Sequence, residues 1–220
     1  MKTTQFVLLF TIILIALCGV GPLSAQNAAP FEGFDDYVNR SMKEWEIPGM
    51  AIAIVKDDKV VFAKGYGVRD IGKPASVDEH TLFAIGSSSK AFTAASLAIL
   101  MDEGKLKWDD PVTKYLPGFQ LYDPYVTREM TVRDLLTHTS GIADHLWLEG
   151  YRPLADDPAT PKSAYIALAA KAPRRFPPGA RWAYSNTNFK ALALIAERVE
   201  GKPSDTVVEE RVLRPAGIEG

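Results

Sequence analysis

From Phe31 onward the apolar positions change period several times. Phe31, Phe34, Tyr37, Val38, Met42 and Trp45 recur near a helical spacing and the run stops at Pro48-Gly49, which predicts one amphipathic helix. MAIAIVKDDKVVFAKGYGVRD then reads as two short β-rich runs around Lys56-Asp57-Asp58-Lys59, a hairpin whose turn residues are the polar ones. Helical patterns dominate the remainder. FAIGSSSKAFTAASLAIL, residues 83–100, passes from a hydroxyl-rich turn into an Ala-rich apolar run. Next come the DDPVTKYLP segment, a helix at about Val132–Leu136 behind Thr131, another through KSAYIALAAK, and one in NFKALALIAERVEG that ends at Gly201. No internal repeat or low-complexity linker interrupts them.

A lone hairpin is marginal in water and needs more strands or a covering element. After the last helical stretch come RPAGIEG and no further β-rich run. The 220 residues are therefore expected to be the front portion of a longer α+β protein.

Residues 1–30 stand apart from this reading. They carry Lys2, an apolar stretch from Phe6 to Val20, a break at Gly21-Pro22 and small residues ending at Ala25, the pattern of a secretory signal spanning residues 1–25. The apolar stretch is short beside the roughly 20 residues of a spanning helix. Cleavage after Ala25, no membrane span in the mature chain and a periplasmic or secreted location are expected. Lipid attachment at Cys18 is disfavoured because Leu17 is larger than the residue such processing tolerates. Cys18 is the single cysteine, so residues 26–220 can form no disulfide, thiolate nucleophile or zinc-thiolate site.

Composition narrows the partners. A chain that is 47% hydrophobic and 24% charged can bury a core of its own. A formal net charge of -2 without a run of like charges leaves no electrostatic footprint for nucleic acid or an anionic membrane. A small-molecule or peptide substrate is the expected partner.

The chemistry begins at SSSK. Ser87 and Lys90 stand three apart, so in the first turn of a helix their side chains share a face. A lysine there can take the proton of a serine when burial or a neighbouring cation leaves the amine neutral. Free N–H groups at a helix start favour an ionised serine oxygen and the oxyanion of an acyl-transfer intermediate. The spacing alone is equally that of a capping serine and a solvated lysine. Roughly a hundred residues later, FPPGARWAYSNTNF carries Tyr184 and Asn186, two apart; in an extended segment both would enter one cleft. A phenol near an ammonium group ionises more easily and can relay a serine's proton to a leaving group. On its own this pair is equally a core tyrosine beside a helix-capping asparagine.

In order, FAIGSSSKAFTA, EGKLKWDDPVTKYLP, TVRDLLTHTSGI and FPPGARWAYSNTNFKALALIAERVEG resemble the serine β-lactamase and penicillin-binding-protein superfamily, in its class C and D-alanyl-D-alanine carboxypeptidase branch. The resemblance runs from about Phe31 to the end. It implies an antiparallel sheet flanked by helices, with a helical subdomain. Residues 26–220 would be the N-terminal part of such a catalytic domain, incomplete at its C-terminal end. It also implies that Ser87 is the acylated nucleophile, Lys90 its activating partner, Tyr184 the proton relay, and Asn186 a contact to substrate and lysine. Ser88 and Ser89 fall at variable positions, as helix-start filler. His138, in the Thr-His-Thr-Ser-Gly block, is read as structural.

Family members also carry K-T-G or H-x-G on a later strand, and nothing after Tyr184 matches it. That strand supplies one of two oxyanion donors in the family, and losing one such donor typically costs about a hundred- to a thousandfold in turnover. The 220-residue chain by itself is therefore expected to be inactive. Other chemistries find no footing. No serine lies in G-x-S-x-G, and His80, His138 and His145 lack the H-E-x-x-H spacing of a zinc enzyme, so no metal and no cofactor are implied. His145 is expected at the surface, with contact to substrate the alternative, and Trp147 and Trp182 as packing residues, with lining of the cleft the alternative.

The expected protein is a secreted or periplasmic serine hydrolase passing acyl groups through a serine ester. It would act on a β-lactam, a D-Ala-D-Ala peptide or a related amide or ester. A carboxylesterase or D-aminopeptidase is the alternative within that class. A non-catalytic cell-wall or ligand-binding protein is the alternative outside it, opposed by the intact Ser87, Lys90 and Tyr184.

Overall fold

A computed structural model describes residues 31–142, 159–171 and 176–218. The signal-like segment, His145 and Trp147 lie outside the described residues. The chain divides into two units, one ending at Leu82 and one beginning at Phe83.

In the first unit, α1 (Phe34–Glu44) carries Asp35 and Asp36 in its first turn and Lys43 in its last, the charge order that complements the helix dipole. Val38 and Met42, one turn apart, are its buried pair. Tyr37 and Trp45, which the periodicity placed on the same face, are exposed instead. Tyr37 lies about 100° round the helix from Val38, and Trp45 is the C-cap, past the last helical residue. Strands β1 (Gly49–Lys56) and β2 (Lys59–Gly67) pair antiparallel, with Lys56 opposite Lys59. The turn is narrower than the polar run: only Asp57 and Asp58 form it, both with positive φ (50° and 58°), which suits a two-residue turn matched to strand twist. Ile54 faces Phe62 while Val55 faces Val60, so Val61 is the extra residue of a bulge.

The cover that a lone hairpin requires comes from α1. Met50, Ile52 and Phe62 pack against the buried cluster of Val38, Met42 and Tyr66. Asp35 fastens helix to hairpin by accepting from Lys64 Nζ and Tyr66 Oη, each at 2.6 Å. Lys64 first, then Tyr66, holds the Asp35 carboxyl below its usual range. Burial, and then the Asp35 carboxylate, push the Tyr66 phenol up to about 12.

The second unit is helical. A 3₁₀ turn at Gly86–Ser88 leads into α2 (Ser89–Asp102), followed by α3 (Val112–Tyr115), α4 (Pro124–Glu129), α5 (Val132–Leu136), α6 (Lys162–Ala169), α7 (Asn186–Glu200), α8 (Ser204–Val208) and a π-helical turn at Glu209–Leu213. Local signals account for several boundaries. Asp123 caps α4 through the N–H groups of Tyr125 and Val126, with Pro124 in its first turn. Thr131 and Asp134 close a reciprocal capping box on α5. Gly201 ends α7 with φ 69°. α7 is the hub, packing on α2, α3, α5, α6 and α8. Its Leu192 and Ile195 are fully buried, as are Leu97 and Leu100 of α2 and Leu135 of α5. Full burial of one such side chain stabilises by about 1.5–3 kcal/mol, so the α2–α7 and α5–α7 contacts are firm. These two contacts position the candidate site.

Candidate active site

Ser87 belongs to the 3₁₀ turn and Lys90 to the opening turn of α2. Neither extra serine caps the helix: Ser88 makes no capping bond, and Ser89 Oγ donates back to the Gly86 carbonyl at 2.7 Å. Three residues apart, Lys90 Nζ reaches Ser87 Oγ at 3.0 Å. Tyr184 Oη lies 2.5 Å from the same oxygen, and either hydroxyl can donate. Lys90 Nζ also donates to Asn186 Oδ1 at 2.7 Å. Lys90 Nζ lies over two rings, 4.8 Å from the centroid of Tyr184 and 5.5 Å from that of Phe189. All four residues singled out in the sequence thus meet. Ser87 is exposed, while Lys90, Tyr184 and Asn186 are half-buried.

The route by which Tyr184 and Asn186 arrive differs from a shared extended segment. Ser185 is extended (φ -146°, ψ 121°), but Asn186 is already the first residue of α7. Asn186 therefore reaches Lys90 from the helix start, and it does not cap that helix. The cap position belongs to Ser185, whose hydroxyl makes no capping bond. Ser185 Oγ and Thr187 Oγ1 are buried without a hydrogen-bond partner among the described residues.

The segment before α7 is anchored by the loop that follows α5. The Gly179 and Ala183 N–H groups donate to the Thr139 and His138 carbonyls, both at 2.9 Å. Behind them Asn188 is fully buried, accepting from Ser140 Oγ at 2.8 Å and donating through Nδ2 to the Leu135 carbonyl at 3.1 Å. Gly141 must be glycine here. Its φ is 74°, and an added Cβ would stand 2.2 Å from the Phe176 carbonyl oxygen.

His138, read as structural, proves to be part of the wall of this site. Its ring lies against Tyr184 (centroids 4.7 Å apart, 30° between planes), Phe189 and the edge of Trp182. Of the two readings of Trp182, packing and lining of the cleft, its position favours the second, because the residue is 67% exposed and its ring lies against His138 beside Tyr184. Lys190 escaped notice in the sequence. Burial first, then repulsion from Lys162, holds its ammonium below the ordinary lysine value, with Asp205 opposing and Lys90 adding to the repulsion. Among the described residues no group of histidine, cysteine and carboxylate side chains is placed to hold a metal ion, and no helix is long and apolar enough to cross a membrane.

Chemically, the arrangement puts one hydroxyl oxygen between an amine and a phenol, with a carboxamide oxygen holding the amine. Such a hydroxyl can pass its proton to whichever of the two neighbours is in its basic form, the amine or the phenolate. A serine so placed at a helix start, served by S-x-x-K and Y-x-N, defines the class of β-lactamase-like serine hydrolases. The Beta-lactamase family model matches residues 34–220, and the chain belongs to that family.

Relatives agree with that assignment. Unguisins hydrolase ungD' of Aspergillus campestris is 32% identical over 195 residues, 86% of this chain and 35% of the relative. A penicillin-binding protein homologue from Pyrococcus abyssi, described as octameric, superposes with a TM-score of 0.73 at 31% identity, over 83% of this chain and 42% of that one. A D-stereospecific amidohydrolase from Streptomyces sp. gives a TM-score of 0.63 at 31% identity, over 77% and 50%. The chain spans about a third of the length of the curated relatives it matches. Its helices and small antiparallel sheet are those of the β-lactamase/transpeptidase-like fold.

Proposed function

We propose that this protein is a serine hydrolase that cleaves an amide or ester through an acyl-enzyme on Ser87. The observation that carries the reading is the bifurcated access to Ser87 Oγ, 3.0 Å from Lys90 Nζ and 2.5 Å from Tyr184 Oη. In the first step Ser87 Oγ bonds to the substrate carbonyl carbon while its proton passes to the Lys90–Tyr184 pair. Tyr184 then delivers a proton to the departing amine or alkoxide as the C–N or C–O bond breaks. Asn186 holds Lys90 in register and contacts substrate. Water attacks the ester, the proton path runs in reverse, and the acid leaves with Ser87 restored.

The names of two relatives, a D-stereospecific amidohydrolase and a penicillin-binding protein homologue, favour an amide, with a β-lactam or D-Ala-D-Ala peptide as leading candidates. The signal-like residues 1–25 support action outside the cytoplasm. The test uses full-length protein incubated with a fluorescent penicillin or a fluorophosphonate, followed by intact-mass and peptide analysis. A single adduct on Ser87, absent from Ser87→Ala and lost from Lys90→Arg because guanidinium does not give up its proton, is expected. A folded protein that takes no acylating probe sinks the proposal. Turnover of nitrocefin, a D-Ala-D-Ala peptide and p-nitrophenyl esters then ranks substrates.

A further inference from the structure

We infer that His138 is a positioning residue whose neutral imidazole clamps Tyr184 onto Ser87 by accepting the Ser185 N–H at Nδ1 and stacking on the phenol ring. The inference rests on the acyl-transfer reading of Ser87.

The clamp has three parts, all from one residue. The His138 carbonyl accepts the N–H of Ala183, the residue before Tyr184, at 2.9 Å. Its Nδ1 accepts the N–H of Ser185, the residue after Tyr184, at 3.2 Å. Between these two attachments the imidazole and phenol planes lie 30° apart with centroids at 4.7 Å. Tyr184 is thereby held along its backbone on both sides and across its ring, and a phenol so held keeps its oxygen at Ser87 without an entropic search.

The backbone of His138 makes the clamp possible. Its φ is 60°, a left-handed conformation uncommon outside glycine, in which asparagine, aspartate and histidine are the enriched exceptions. That turn lets its carbonyl and its ring serve the same incoming segment. The loop is built around it: Thr139 Oγ1 donates to Asp134 Oδ1 at 3.2 Å, and Ser140 and Gly141 are tied to Asn188 and pressed on Phe176. A structural residue of the α5 loop alone would need the carbonyl bond and nothing from the ring.

A ring nitrogen that accepts an N–H carries no proton, so the clamp requires the tautomer with hydrogen on Nε2. Two substitutions separate the acceptor from the ring. His138→Asn keeps an acceptor oxygen near the place of Nδ1 and tolerates positive φ; His138→Phe keeps a ring for stacking and has no acceptor. With a fluorescent penicillin or fluorophosphonate, saturation labelling splits non-covalent affinity from the acylation rate.

His138→Phe is expected to lower the acylation rate about ten- to a hundredfold, the scale of an ångström-sized misplacement, with affinity changed by less than about twofold. His138→Asn is expected to restore most of the rate. Nitrogen NMR of histidine-labelled full-length protein, wild type and Ser87→Ala, should show His138 Nδ1 unprotonated and hydrogen-bonded. An Nδ1–H tautomer, a Phe variant that acylates at the wild-type rate, or an Asn variant as slow as Phe overturns the clamp. Should the Phe variant fail to fold, the tautomer in the wild-type protein decides. The tautomer is read without any reaction at Ser87, so an unreactive serine beside an unprotonated Nδ1 defeats the acyl-transfer reading and leaves the clamp standing.

Discussion

Replacing Asn188 by alanine probes the joint between α7 and the loop that holds Tyr184. Asn188 is fully buried, accepts from Ser140 Oγ at 2.8 Å and donates to the Leu135 carbonyl at 3.1 Å. A net hydrogen bond is worth about 1 kcal/mol, so the two together contribute about 2 kcal/mol, and a buried donor left unmade costs about 1–3 kcal/mol more. One such donor is created. Ser140, 1% exposed, keeps the Ile142 N–H as its donor at 3.1 Å but has nowhere to send its own proton. The Leu135 carbonyl is spared because it still accepts the His138 N–H. Asn188→Ala should therefore lose about 3–5 kcal/mol, a large part of the 5–15 kcal/mol of a typical domain. Urea unfolding followed by tryptophan fluorescence measures it, as a shift of midpoint at constant slope. In the cycle with Ser140→Ala, the double variant should lose about 2–4 kcal/mol less than the sum of the singles, because the bond between the two side chains is then lost only once and no hydroxyl is stranded. Additive losses, or an Asn188→Ala penalty under about 1 kcal/mol, would refute the account of this joint.

Gly141→Ala should fold poorly or with the segment before Tyr184 displaced, since its Cβ meets the Phe176 carbonyl at 2.2 Å; fold stability together with Ser87 labelling reads this, and an unaltered variant on both counts contradicts the packing described. Asp110 has its carboxyl held below the usual range by Lys114 first and then Tyr115. Its contribution is therefore complete above the unfolded carboxylate value of about 4 and fades as pH falls through the lower folded one. Asp110→Asn should show a shallower loss of urea stability in acid than wild type, and an identical slope would count against it. At the other end, Tyr66, pushed up to about 12 by burial and then Asp35, should show phenolate absorbance only well above the ordinary tyrosine value of about 10. Stability at that hairpin should hold below the ordinary tyrosine value of about 10 and be lost as pH climbs toward the folded one.

What the sequence discloses here follows the range of each interaction. Thr131 with Asp134, Asp123 with Tyr125 and Val126, and Ser87 with Lys90 are contacts between residues within two or three positions, so the sequence holds both partners in one short stretch, although spacing alone does not say what the pair does. α4 and α8 are six and five residues long, too short for apolar periodicity to accumulate, and neither is among the elements expected from the sequence. Tyr37 and Trp45 mislead for a related reason: a period describes positions on an ideal helix, and it says nothing of where the helix stops or how wide its covered stripe is.

The site is the harder case. Ser87 and Tyr184 are 97 residues apart, and their meeting is decided by how α7 packs on α2 and α5, a property of the whole core that no local pattern writes down. Resemblance to a family bridged that distance, because relatives have already solved the packing. It could not supply the clamp at His138, which hangs on a left-handed backbone turn and on the direction of one ring nitrogen. A histidine in such a block has the same letters whether it fills space or holds a phenol. The bond from the Ser185 N–H to Nδ1 separates the two, because space-filling needs a ring of the right size whereas holding needs an acceptor at one end of it.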